Sequence, residues 1–116
     1  MTPELTSFQR KYLRGLAHSL KAVILVGQKG VTDLVLRALN EALCHHELVK
    51  IKFIEDKAKV EKRSLAETLQ RAASAELVGM IGHTAILYRQ HPDSQKRKIH
   101  LPQYPSTKPA AASKPQ

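Results

Sequence analysis

Tryptophan is absent, cysteine occurs once, and Phe and Tyr together supply five residues in a chain of 116. A single thiol, Cys44, excludes an intrachain disulfide and a cysteine-rich zinc site, and it fits a reducing compartment. With so few rings the core must be built from Leu, Val, Ile and Ala, which suits layered α/β packing. No apolar run is long enough to span a bilayer. None combines a basic start, an apolar stretch and a small-residue cleavage site, so the cytosol is the expected location. Acidic side chains are also scarce, at 10 Asp plus Glu against 19 Lys plus Arg, a formal net charge of +9.

That excess points to a polyanionic partner, and it is unevenly placed. Residues 1–30 carry Arg10, Lys11, Arg14, Lys21 and Lys29 against Glu4 alone, and residues 92–116 carry five basic side chains against Asp93. The middle, 31–91, is nearly balanced. A chain of this length fits one domain.

In order, Thr6-Ser7-Phe8-Gln9 forms a Thr-x-x-Gln capping box. Phe8, Tyr12, Leu13, Leu16 and Ala17 follow at helical spacing and predict a helix over Ser7–Ala17. Ala22-Val23-Ile24-Leu25-Val26 reads as a strand buried on both faces. Thr32 can cap a second helix running to His46, with Leu34, Val35, Ala38, Leu39, Ala42 and Leu43 as its apolar stripe. Leu48 to Ile54 alternates, with Lys50 and Lys52 on a wet face. A third helix starts between Asp56 and Ser64 and ends near Ala73; Ser64 and Glu67 form a second capping box. Glu76–Ile81 and Thr84–Arg89 are strands joined by a glycine-first Gly82-His83 turn. From His91 onward five prolines and the Lys96-Arg97-Lys98 cluster predict a basic tail, largely disordered, over 91–116. The fold class is therefore α/β, a single compact domain of order α-β-α-β-α-β-β over 1–90 with a four-stranded mixed sheet. Helices two and three should share one face, and helix one should cover part of the other.

The stretch around which this order is built is Gly27-Gln28-Lys29-Gly30. The two glycines bracket a strand-to-helix loop, where positive φ and close backbone approach are available. Free N–H groups and the positive end of the helix dipole meet there, so an anion is the natural guest. The spacing fits neither the Walker nor the dinucleotide fingerprint. It is the Gly-x-x-Gly arrangement with which the KH fold clamps a nucleic-acid backbone, although a tight turn alone would use the same residues. Gly27, Gln28, Lys29 and Gly30, with Arg10, Lys11, Arg14 and Lys21 adding charge, are the candidate RNA-binding residues.

Nothing in the chain reads as catalytic. His45 and His46 are adjacent on a helix and diverge by about 100°, unlike an i, i+4 zinc pair. Helix-end or surface positions account for the histidines. Ser7, Ser19, Ser64 and Cys44 have no nucleophile elbow around them, and Cys44 reads as a small core or boundary residue. No enzyme, metal, cofactor or small-molecule substrate is expected.

With those residues in view, the chain resembles the YhbY-type RNA-binding family, or CRM domain, of chloroplast RNA splicing and ribosome maturation. The resemblance covers about Leu5 to Arg89. It rests on Leu5-Thr6, Tyr12 to His18, Gly27 to Gly30, Glu47 to Lys52, Ile81-Gly82 and Leu87-Tyr88-Arg89. It implies a fold similar to the C-terminal domain of translation initiation factor three, RNA binding through the glycine loop, and association with the precursor of the large ribosomal subunit. Ala22, Ser74 and Gln90 depart from the family pattern, which commonly has proline, glycine and proline there. A protein-interaction adaptor and a general nucleic-acid-binding protein are the competing readings.

Overall fold

The ends of the helices explain most of the architecture. In the computed structural model, which describes residues 5–54 and 59–102, Thr6 Oγ1 accepts the Gln9 N–H at 3.1 Å while Gln9 Oε1 accepts the Thr6 N–H, closing the box that starts α1 (Ser7–Ala17). Thr32 Oγ1 accepts the Val35 N–H at 3.2 Å and starts α2 (Asp33–His46). The second expected box does not start a helix. α3 (Lys59–Ala72) already runs through Ser64, and Glu67 instead accepts from Arg63 Nε one turn earlier. Residues 55–58 lie outside the described residues.

The four strands are β1 (Ala22–Val26), β2 (Leu48–Phe53), β3 (Glu76–Ile81) and β4 (Thr84–Tyr88), in spatial order β1-β2-β4-β3. β1 and β2 are parallel, with Leu25 opposite Lys52, and the other pairs are antiparallel. Gly82 opens the β3–β4 turn at φ 57, as the glycine-first reading required. The chain is thus an α/β domain of three helices on a four-stranded mixed sheet.

Strand alternation divides the core in two. On one face Val26, Val49, Ile51, Phe53 and Leu87 pack with Leu39 and Leu43 of α2, Leu69 of α3 and Ala73 just beyond it. On the other, Leu48, Val78, Ile86 and Tyr88 pack with Leu13 and Ala17 of α1. Each fully buried leucine contributes about 1.5–3 kcal/mol through the apolar surface it removes from water.

Three expectations are corrected. β1 is an edge strand and is buried on one face only: Val23 and Leu25 are 56% and 61% exposed, because α1 packs over β2 and β3 and does not reach them. For the same reason the α1 stripe is only half used, with Tyr12 and Leu16 remaining exposed. The boundary expected at residue 90 also falls short. Residues 91–102 fold back across the α1 side of the sheet, with a 3₁₀ turn at Ser94–Lys96 and with Ile99 and Leu101 against the second core. Glu47 holds this strap. Buried and at φ 62, its carboxylate accepts the N–H groups of His91 and Lys98 at 2.7 Å and of Ile99 at 3.0 Å. Residues 103–116 of the expected tail lie outside the described residues. Among the described residues no helix is long and apolar enough to cross a membrane.

Candidate nucleic-acid interface

The Gly27–Gly30 segment is a tight turn closed by the Gly30 N–H donating to the Gly27 carbonyl at 3.1 Å, with Gln28 and Lys29 exposed at its tip. The two glycines are not equivalent. Gly30 sits at φ 71 and is buried, and a Cβ there would lie 3.5 Å from Leu65 Cδ2 of α3. Its side chain is absent because the turn needs left-handed backbone. Gly27 has no such φ, and a Cβ added to it would meet nothing within 4 Å. The expectation of positive φ at both is corrected to Gly30 alone. Gly27 leaves an open approach to the backbone that the fold does not demand.

This turn stands where several elements end together. Ile54 N–H donates to the Val26 carbonyl and Phe53 N–H to the His83 carbonyl, so the carboxyl ends of β1 and β2 and the β3–β4 turn form one edge. Ligands of open α/β sheets bind outside such carboxyl ends. The α2 N-terminus opens beside the turn, with Asp33 in its first turn.

The basic residues proposed to surround the loop do not all gather there. Lys29 does, at the tip. Lys21 precedes β1 at its other end; at ~3.3 Å per extended residue it lies about 20 Å from Gly27. Arg10 is held at the far edge of the sheet, where its guanidinium donates to the Leu77 carbonyl and pairs with Glu76 at 3.4 Å. Arg14 is exposed but lays its stem over β3, where a Cβ at Gly79 would come within 3.2 Å of Arg14 Cδ. Lys11 is exposed on α1. The reason is topological, since α1 spans the sheet on the side away from α2 and α3.

Two residues at the loop end were missed. Lys52, known from the sequence only as part of a wet face, is exposed opposite Leu25, one residue short of the end of β1. Lys62 is 5% exposed and its ammonium meets His83 Nδ1, which ties α3 to the β3–β4 turn. The signal was present: Lys62 lies in helical register with Ala66, Leu69 and Ala73, all buried. His83 is accordingly a half-buried partner, whereas His45 and His46 are exposed at the end of α2. Cys44 is exposed, against the core or boundary reading, and lies 3.4 Å from Arg89 Nη2. Arg89 is a clamp: it also donates to Asn40 Oδ1 at 2.7 Å and to the Ala73 carbonyl at 2.8 Å, joining β4 to the C-terminal ends of α2 and α3.

Comparison with known proteins bears on this geometry. Residues 5–89 match the CRS1 / YhbY (CRM) domain. The chain is 38% identical over 98 residues to an RNA-binding protein of Haemophilus influenzae, covering 84% of this chain and 95% of that one. It is 34% identical over 98 residues to the probable RNA-binding protein YqeI of Bacillus subtilis, covering 84% and 99%. The solution structure of the hypothetical protein SAV1595 from Staphylococcus aureus, described as a candidate RNA-binding protein, superposes with a TM-score of 0.73 at 32% identity over 85% of this chain and 100% of that one. A family match that runs from the α1 cap to the Arg89 clamp, with relatives similar along nearly their whole length, makes the chain a member of the CRS1/YhbY (CRM) domain family.

Proposed function

We propose that the chain binds RNA without catalysing a reaction, and that the Gly27–Gly30 turn receives the phosphate backbone. The observation that carries this reading is Gly27, whose open Cβ position serves no packing or backbone need in the fold. A phosphate resting there would meet backbone N–H groups at the start of α2, with Lys29 and Lys52 supplying charge from either side. The names of the relatives and the basic excess support the same polymer.

Within this reading the RNA belongs to a precursor of the large ribosomal subunit, and the site of action is the cytosol. Sucrose-gradient fractionation of cell extract tests it. The protein is expected with large-subunit precursors at low salt and to leave them as salt rises; presence only among free proteins would remove the ribosomal assignment. In a binding titration, Gly27→Ala is expected to keep the thermal midpoint and weaken binding to a ribosomal RNA fragment at least several-fold. Lys29→Ala should weaken binding to all RNA sequences alike, as a lost phosphate contact does.

A further inference from the structure

At the end of β1 remote from the glycine turn, a groove of about 490 Å³ opens between the C-terminal end of α1, the starts of β1 and β2, and the strap. Its size falls in the range of small-ligand sites. The floor includes Leu16, Leu20 and Val23, which are 38%, 39% and 56% exposed, so a continuous apolar surface stands open to water. Lys21, Lys50 and Lys98 stand around it with Ser19 and His46, and among the described residues no carboxylate lines it. Lys50 Nζ donates to the Leu20 carbonyl at 2.9 Å, which fixes its ammonium at the groove. Lys98 is brought there by the strap, whose N–H at that residue is held by Glu47.

An apolar floor whose rim carries three lysines matches a guest with a flat apolar face and a negatively charged frame. We propose that the groove receives an unstacked nucleobase of single-stranded RNA, its face on Leu16, Leu20 and Val23 and its flanking phosphates on Lys21, Lys50 and Lys98. This rests on the RNA-binding reading above and adds a second contact about 20 Å from the glycine turn, by the strand rise of β1. Bases splayed out of single strands are commonly held by their faces on aromatic side chains, and here aliphatic side chains would offer the apolar surface instead.

Fluorescence anisotropy with two labelled probes of equal length, an oligouridylate and an abasic oligonucleotide, isolates the base from the phosphates. The full-length chain is expected to bind the oligouridylate several-fold more tightly than the abasic probe. Leu20→Ser with Val23→Ser should bring that ratio close to one while abasic binding persists. Lys98→Ala should weaken both probes and lower the salt slope by about 0.7. Lys98→Ala alters only an exposed side chain, so it remains informative if the double variant unfolds. A ratio near one for the parent chain, or a folded double variant with the parent's ratio, overturns the groove proposal. So does a parent chain that binds a labelled acidic peptide through the groove, with that binding lost in the double variant, and does not respond to the oligouridylate. If the parent chain binds ribosomal particles but neither probe, the groove proposal fails and the RNA reading stands; if it binds neither particles nor probes, both fail.

Discussion

Ser74 and Glu47 are the two described non-glycine residues with left-handed backbone, and each closes a helix at a cost. After α3, the Ala75 N–H donates to the Gln70 carbonyl and the Ser74 N–H to the Arg71 carbonyl, the paired bonds of a Schellman end. The residue at the turning point would ordinarily be glycine, and the family resemblance marks Ser74 as a departure from glycine for that reason. Ser74→Gly should therefore raise stability by about 1 kcal/mol, seen as a rise of ~4–8 °C in thermal midpoint for a domain of this size. Glu47 offsets its strain by accepting three N–H groups from the strap, a function glycine could not perform. Glu47→Gln replaces one carboxylate oxygen by an amide donor, which then faces either the His91 N–H or those of Lys98 and Ile99. It should cost at least ~2 kcal/mol and speed hydrogen exchange at Lys98 and Ile99. Tyr88 gives a pH signature. Its hydroxyl is buried with no hydrogen-bond partner among the described residues, and Gln90's side chain lies near it. Burial pushes the phenol from its ordinary 10.0 up to about 12, and the Glu47 carboxylate adds to the rise. The fold favours the neutral phenol, so its contribution is complete below pH 10 and is lost as pH climbs through about 12. Tyr88→Phe should keep or raise stability at neutral pH and lessen the alkaline loss, as followed by circular dichroism.

At the scale of elements, the sequence disclosed what is decided locally. Thr6 and Thr32 start their helices because an N-cap needs only an acceptor and the next three residues. The alternation of β2 and the glycine-first turn are equally short-range. What was hidden depends on neighbours distant in the chain. The run Ala22–Val26 is apolar throughout and reads as doubly buried, yet only the strand order makes it an edge. Ser64 and Glu67 satisfy a capping pattern, but a helix begun at Lys59 leaves them inside. The glycine loop could be located, while the unequal roles of Gly27 and Gly30 rest on the positive φ that the closed turn imposes at Gly30 alone. Gly30→Ala should thus destabilise the fold by about 1 kcal/mol or more, through strained φ, where Gly27→Ala does not. Lys62 makes a similar point. His83→Ala would strand a buried ammonium and cost about 1–3 kcal/mol or more, whereas Lys62→Met keeps the buried stem and should be near neutral in urea unfolding.

For the molecule as a whole, charge was legible in amount but not in arrangement. Lys21, Arg10 and Lys29 are neighbours in the basic N-terminal quarter, and the fold sends them to three separate places. The strap was hidden for a related reason: its composition resembles a linker, and its backbone is held by residues distant in the chain, its N–H groups by Glu47 and the Pro102 carbonyl by Gln9. Ending the chain after residue 102 should lower the salt slope of RNA binding, because Lys108 and Lys114 are lost. Ending it at residue 90 should lower the midpoint, since Ile99 and Leu101 then leave Leu48 and Tyr88 uncovered.

The grip of Glu47 on the strap also has a meaning during synthesis. Its carboxylate waits 44 residues for the first of its three donors and 52 for the last. Synthesis proceeds at about 5–20 residues per second, N-terminus first, so the last donor follows the end of β4 by about 0.5–2 s, during which the sheet can close around an acidic group not yet fully answered. A nascent chain stalled before Ile99 would carry a nearly finished sheet with an open seam, and would be a better substrate for proteases than the completed protein. The last twelve described residues, 91–102, thus act as a seal on the product.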